Sequence, residues 1–262
     1  MLKTKKINVH QDIFTVVMIG IALITGVTMI AISAVNGSSF LAIVGVSVSF
    51  WAILLLFFTP TKHAFLSLLK ASASASGTNI ERSLLEFNLI EKGIYLPPQN
   101  LRNFESSLVF VPKTPGNALP TREETTDKLF NEQRTGLFFT PPGQALSVMF
   151  EKELGMSFRK IALPQMQNII KKLFHNLKFA EEVQIRIQAK TIILEITGSI
   201  FNTLCNETRN NQPRTHAQVG CILASAFACA FAKSSDKPVI IQKDTLNPET
   251  KTLIIEYLME DT

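Results

Sequence analysis

From Ile13 to Thr61 the chain contains no Lys, Arg, Asp, Glu or His. An uncharged stretch of that length excludes an ordinary soluble surface over this part of the protein. Three sequence signatures of catalysis are also missing. There is no G-x-x-x-x-G-K-[ST] loop, no G-x-G-x-x-G fingerprint and no G-x-S-x-G elbow. Their absence removes the nucleotide-driven and esterase-type readings that have a motif. Cysteine is scarce: Cys205, Cys221 and Cys229 are an odd number with no C-x2-C spacing. No disulfide framework is expected, and thiols of a cytoplasmic domain are expected to stay reduced.

The formal charge is +5 and the isoelectric point about 9.1. Nucleic acid is nevertheless not an expected partner, because the charge is unevenly placed. Residues 1–70 carry five Lys and one Asp, a net of +4, whereas residues 71–262 carry 21 basic and 20 acidic residues. The basic character therefore belongs mostly to the membrane flanks, where it reports topology rather than recognition.

Two apolar runs fill the uncharged stretch. Ile13–Val35 has 23 residues and Phe40–Phe58 has 19. As helices they cover roughly 34 Å and 28 Å, against a hydrocarbon core of about 30 Å. The uncharged turn Asn36-Gly37-Ser38-Ser39 joins them, and Pro60 follows the second. They predict a transmembrane hairpin that meets the lipid bilayer through residues 13–58. The first run exceeds the length of a signal-peptide core, so cleavage is not expected. Lys3, Lys5 and Lys6 precede the hairpin and Lys62 and Lys70 follow it. The positive-inside rule then puts both termini in the cytoplasm of a two-span protein of the cell membrane. Ala22 and Gly26 form a small-xxx-small pair that is common by chance.

The expected organisation is a basic flank at 1–12, the hairpin at 13–61, a juxtamembrane segment and Ala/Ser-rich linker at 62–77, and a soluble domain at 78–262. In that domain, Thr78-Asn79 predicts the cap of a helix over about 80–91, with Ile80, Leu84, Phe87 and Ile90 on one face and Gly93 past its end. Ile94–Pro98 and Ser107–Val111 read as short extended pieces, with a proline-rich loop at 112–120. Thr121 and Glu124 form a capping box for a helix to about Gln133. Gly136–Phe139 reads as a strand. Helices follow from Thr140-Pro141-Pro142-Gly143 to Gly155 and from Pro164 through Leu177.

Val183–Gln188 and Ile192–Thr197 alternate cleanly and predict a β-hairpin with one buried face. A helix over about 199–209 ends at Asn210-Asn211-Gln212-Pro213. Val219–Ala232 has no charge in fourteen residues. Too short to span a bilayer, it reads as a buried core helix. Val239–Gln242 and Thr252–Tyr257 predict a last strand pair. The fold class is an α+β domain of antiparallel strands packed on a buried apolar helix.

Cys205, His216, Cys221 and Cys229 lie within 25 residues and hold ligand types that zinc takes. Without close ligand pairs, burial as small apolar groups is the commoner fate, so no metal and no cofactor are expected. His216 lies five residues before Cys221, a cysteine–histidine pair that only geometry could make a nucleophile and its base. Glu123-Glu124 and Glu181-Glu182 are adjacent acids, which point apart on a helix or strand and read as solvated surface. A sharper feature lies between Gly155 and Phe179: Arg159, Lys160, Lys171, Lys172 and Lys178, with no acid. Such a face predicts a surface for an anionic membrane or an acidic partner.

Gly93-Ile94-Tyr95-Leu96-Pro97-Pro98, Thr140-Pro141-Pro142-Gly143 and Val219-Gly220-Cys221, leading through Ala232-Lys233 to Lys237-Pro238-Val239, resemble an uncharacterised archaeal two-span membrane-protein family over nearly the whole chain. That resemblance carries over no site residue. From about Glu182, the Gly- and Ala-rich apolar helix before a strand pair is similar to vinyl-reductase-like small-ligand domains. Those often carry a paired-cysteine tail, where this chain has Glu256-Tyr257-Leu258-Met259. The reading that follows is a membrane-tethered, non-enzymatic binding module at the cytoplasmic face, for a small apolar ligand or a protein partner. The alternatives are a structural subunit of a membrane assembly and an enzyme with an unrecognised site.

Overall fold

The computed structural model describes residues 5–58, 76–101, 107–116, 119–123, 125 and 135–260, with side chains from residue 17 to 55 in the first two helices. It divides into two compact units, Met1–Leu69 and Lys70–Thr262.

The first unit is an apolar helix pair, α1 (Lys5–Asn36) and α2 (Ser39–Phe58). The buried positions are Ile19, Gly26 and Ser33 on α1, and Gly45 and Ala52 on α2. Each is seven residues from the next on its helix, the repeat that keeps one seam facing a partner helix. Small residues bring the backbones into contact. A Cβ at Gly26 would lie 2.9 Å from Gly45 O, and one at Gly45 would lie 2.8 Å from Gly26 O. Of the small pair at Ala22 and Gly26, it is Gly26 that sits on the seam. The outer surface is large and apolar, with Ile24, Phe40, Ile43 and Trp51 each more than 60% exposed. Thr25, Ser47 and Ser49 turn their hydroxyls back to the carbonyls of Ile21, Ile43 and Gly45. Polar groups on this surface are thus internally satisfied, as hydrocarbon would require.

The second unit is built on a seven-stranded antiparallel sheet. Its strands are β1 (Ile94–Tyr95), β2 (Val109–Pro112), β3 (Gly136–Phe139), β4 (Glu182–Gln188), β5 (Thr191–Thr197), β6 (Val239–Asn247) and β7 (Thr252–Met259). The spatial order is β3-β2-β1-β6-β7-β5-β4. Its helices are α3 (76–86), α4 (Gln144–Leu154), α5 (Leu163–Leu177), α6 (Asn202–Asn211), α7 (Pro213–Gln218) and α8 (Ile222–Ser235).

Helix α8 is the centre of the domain, and every residue from Ile222 to Lys233 is buried. On one side it meets the sheet, where Phe231 packs edge-on to Tyr257 of β7 at 5.0 Å. On the other, Phe227 packs on Phe150 of α4 at 5.5 Å and on Phe174 of α5 at 5.6 Å. Helix α8 therefore lies between the sheet and α4, while α5 packs against both α8 and strand β4. Alternation along the strands supplies the inner face: Ile192, Leu194 and Ile196 of β5, and Leu253, Ile255, Tyr257 and Met259 of β7. A smaller core of Ile94, Leu96, Leu101, Phe110, Phe138 and Ile240 includes a residue from each of β1, β2, β3 and β6. Ile94 and Tyr95 are consecutive in β1, and Tyr95 reaches toward α8, so this cluster occupies the opposite face.

Several expectations shift. Helix α3 spans 76–86 rather than 80–91, so Thr78 and Asn79 lie inside it. Asn88 takes a left-handed conformation (φ 49°), ends the helical path and swings Leu89 into the core, leaving Ile90 69% exposed. The break at Asn210–Pro213 is followed by the short helix α7, with Pro213 in its first turn. Strand β6 runs on to Asn247, five residues past the predicted Gln242, through a bulge between Ile241 and Lys243. Most of the helix predicted after Thr121 lies outside the described residues. The two strand hairpins, α4, α5 and the buried helix stand as expected.

Close approach sets the position of α4. A Cβ at Gly143, just before α4, would fall 2.7 Å from Ala226 Cα and overlap the backbone of α8 at Ala226 N and Ile222 O. Backbone atoms cannot rotate away. Gly143→Ala is expected to cost about 1–3 kcal/mol through overpacking, read as a lower thermal midpoint of the full-length protein in detergent. An unchanged midpoint would mean that α4 and α8 are not in contact there.

Candidate functional site

All five residues of the acid-free basic segment are exposed. Arg159 and Lys160 belong to a single 3-10 turn, Phe158–Lys160, whose Phe158 is fully buried and fixes the turn to the core. Lys171, Lys172 and Lys178 are on α5 and its C-cap. Lys171, His175 and Lys178 are spaced four and three apart, so they form one stripe. The opposite face, Met166, Ile170, Leu173 and Phe174, is buried. Amphipathic folding of α5 therefore collects the charge on one side. Lys160, Lys171 and Lys172 make no ion pair among the described residues, and Met156, 47% exposed, lies beside them along the chain.

The cysteine–histidine constellation is not a ligand set. Cys205 of α6 and Cys221, just before α8, form a disulfide with their Cα atoms 5.1 Å apart. This corrects the expectation of reduced, unpaired thiols: sixteen residues apart in sequence, the two meet because α7 folds back between α6 and α8. Cys221 therefore offers no thiolate to His216, and the nucleophile–base pairing does not exist in this state. Cys229 is the free cysteine and is buried. Among the described residues no three His, Cys, Asp or Glu side chains converge as metal ligands would.

His216 instead meets Asp244. Its Nε2 lies 2.9 Å from Asp244 Oδ2, and Arg209 Nη2 lies 3.3 Å from Oδ1. The His216 and Asp244 side chains are each only 8% exposed. The sequence hides this cluster because plain alternation from Ile241 would turn Lys243 inward. The bulge inserts one residue and turns Asp244 inward instead. Lys92 stands nearby, donating from Nζ to Ala217 O at 2.5 Å. Burial lowers its pKa, and the field of Asp244 opposes that effect. Glu81 of α3 accepts from the backbone N–H groups of Arg214 and Thr215 at 3.2 and 2.7 Å. A carboxylate at the start of α7 satisfies donors that the helix cannot. These contacts clamp α6 and α7 to α3 and β6. They form a buried polar cluster that ties these elements together.

A second polar group threads the core. Lys233, 5% exposed, pairs with Glu151 Oε2 at 3.0 Å, while Oε1 accepts from Ser157 Oγ and Phe158 N. Tyr95 donates to Val219 O at 2.5 Å and Tyr257 to Ala224 O at 3.1 Å. Burial pushes both phenols well above their ordinary range, and the Cys229 thiol up to about 12. Of the adjacent acids, Glu123, Glu181 and Glu182 are exposed, and Glu124 lies outside the described residues.

These shifts predict alkaline sensitivity. Each group keeps its proton in the folded state at a pH where the unfolded chain releases it. The unfolded state then binds fewer protons, so stability is fully present at neutral pH and falls as pH rises from about 9 toward 12. Denaturation midpoints measured across that range should fall steadily. Cys229→Ala should lose part of the slope while keeping the fold; an unaltered slope would show that the thiol titrates normally.

No curated protein and no solved structure matches the chain. A family model does, over residues 2–257, which include both the helix pair and the α+β domain. By that match the chain belongs to the family described as a domain of unknown function, DUF7982.

Proposed function

We propose that the chain is a membrane-tethered, non-enzymatic binding module whose domain docks an acidic protein partner at the cytoplasmic face. The observation that carries this reading is the exposed, acid-free face of α5 and the turn before it, with Arg159, Lys160, Lys171, Lys172 and Lys178 on a well-packed scaffold. Helices α1 and α2 are the tether. Val17–Asn36 is long and apolar enough to cross a membrane and only 17% buried, and α2 continues as an apolar helix of 20 residues. The stretch Pro213–Ser235 passes the same test of length and composition, but it is 94% buried and belongs to the core.

Orientation rests on the basic flanks and the uncharged turn. The Cys205–Cys221 bridge weighs the other way, since disulfides are rare in the cytoplasm. Both residues are 1% exposed or less, however, and exchange with cellular thiols requires access to a sulfur. A shielded bridge is compatible with either side, and the proposed orientation follows the flanks.

A small apolar ligand has less support. Helix α8, the candidate pocket wall, is enclosed by the rings of Phe150, Phe174 and Tyr257 and by the backbone at Gly143. A binding role is favoured over catalysis because the groups with strongly raised pKa values, Tyr95, Cys229 and Tyr257, are fully buried rather than gathered in a cleft.

A photo-crosslinker at exposed Gln167 of the full-length protein, in membranes of its native host, tests the partner. Adducts with an acidic protein should form and be lost in Lys171→Glu/Lys172→Glu, and also at about 0.5 M salt, where screening reaches below about 5 Å. Adducts indifferent to both changes would overturn the reading. A reporter fused after Thr262 should be active on the cytoplasmic side; activity only outside would invert the topology.

A further inference from the structure

The two edges of the sheet are built differently. Edge strand β3 has four residues, begins at Gly136 and is followed closely by Pro141-Pro142. It is short and stopped, and all four of its residues are buried. Edge strand β4 has seven residues, all in register with β5, and contains no Pro, Gly, Lys or bulge. Among the described residues its hydrogen bonds go only to β5 and within itself. One whole row of backbone N–H and C=O groups is left facing outward. Such a long, regular edge is a pairing template unless something covers it.

Its sequence is complementary to itself. An antiparallel copy related by a two-fold axis at Ile185 pairs all seven residues. On the inner face Ile185 meets Ile185, and Val183 meets Ile187. On the outer face Gln184 meets Arg186, and Glu182 meets Gln188. No like charges oppose each other, and Glu182 lies diagonally across from the copy's Arg186, within reach of long side chains. Gatekeeper charges on an edge work by repulsion between copies; these two attract.

We propose that β4 pairs with β4 of a second copy of this chain, joining two seven-stranded sheets into one continuous sheet. The interface is isologous, with the same strand on both sides, as closed dimers require. Tethering of both copies to one membrane raises their effective concentration along the surface. This inference is independent of the acidic partner, which would use the face of α5.

Gln184 provides the test. It is exposed and opposite Arg186 of the copy; within the monomer it faces Glu195 and donates to Glu182, contacts present in monomer and dimer alike, and changing its charge leaves the core untouched. Dimer dissociation of the full-length protein in detergent would be measured by light scattering or sedimentation for the wild type, Gln184→Glu and Gln184→Lys. Two symmetric cross-strand pairs change in each variant. Gln184→Glu should tighten the dimer between about two- and thirtyfold and Gln184→Lys should weaken it by a similar factor. A monomer at all concentrations would overturn the proposal. So would a dimer that responds equally to both substitutions, which would place the contact in the helix pair or elsewhere.

Discussion

The domain depends on one constraint: α8 is covered on every side, so each polar group on it must be satisfied from within the protein. The surrounding elements do this one by one. Tyr95 reaches down from β1 to the carbonyl of Val219, just before the helix, and Tyr257 from β7 to that of Ala224. Ser225 accepts from the backbone N–H of Gly143, at the point where α4 comes nearest. Lys233 finds Glu151 on α4, and the other oxygen of that carboxylate holds the turn at Phe158. Removing one of these partners would leave a buried polar group unpaired, which costs more than the bond itself contributes. The same contacts fix where α4, the 158–160 turn and hence α5 can lie.

The chemistry available to the protein follows from that packing. Cys229 on α8 and Tyr95 and Tyr257 packed toward it are groups whose proton affinity burial lifts. The cluster around Asp244, with Glu81, joins three helical segments to β6. The basic stripe of α5 and the edge strand β4 lie in one stretch of chain, the surface on which the two proposed contacts rest.

The helix pair obeys a simpler rule. Buried positions recur every seven residues, and glycine at the seam lets the two backbones touch. Apart from Ile19, the described seam positions are small: Gly26, Ser33, Gly45 and Ala52. That arrangement places large apolar side chains such as Ile24, Phe40, Ile43 and Trp51 outward.

Local periodicity made much of the fold legible. The alternation in β4, β5 and β7, the amphipathic pattern of α5 and the charge-free run of α8 each encode their own burial. The basic face was equally readable, because acids are absent from a continuous segment. Other features depend on residues far apart in sequence. Asn88 turns left-handed to seat Leu89, α7 is held by Glu81 more than a hundred residues away, and Cys205 meets Cys221 only once α7 folds back. The bulge in β6 is the clearest case: alternation is a period-two signal, and one inserted residue reverses it without changing composition. The sequence by itself therefore determined the apolar helix pair, the antiparallel α+β class and the charged face, since these rest on short-range patterns of hydrophobicity and charge. Only the tertiary structure decided the Asp244 cluster, the disulfide and the place of β4 at the end of the sheet, because each depends on which distant segments the packing of α8 brings together.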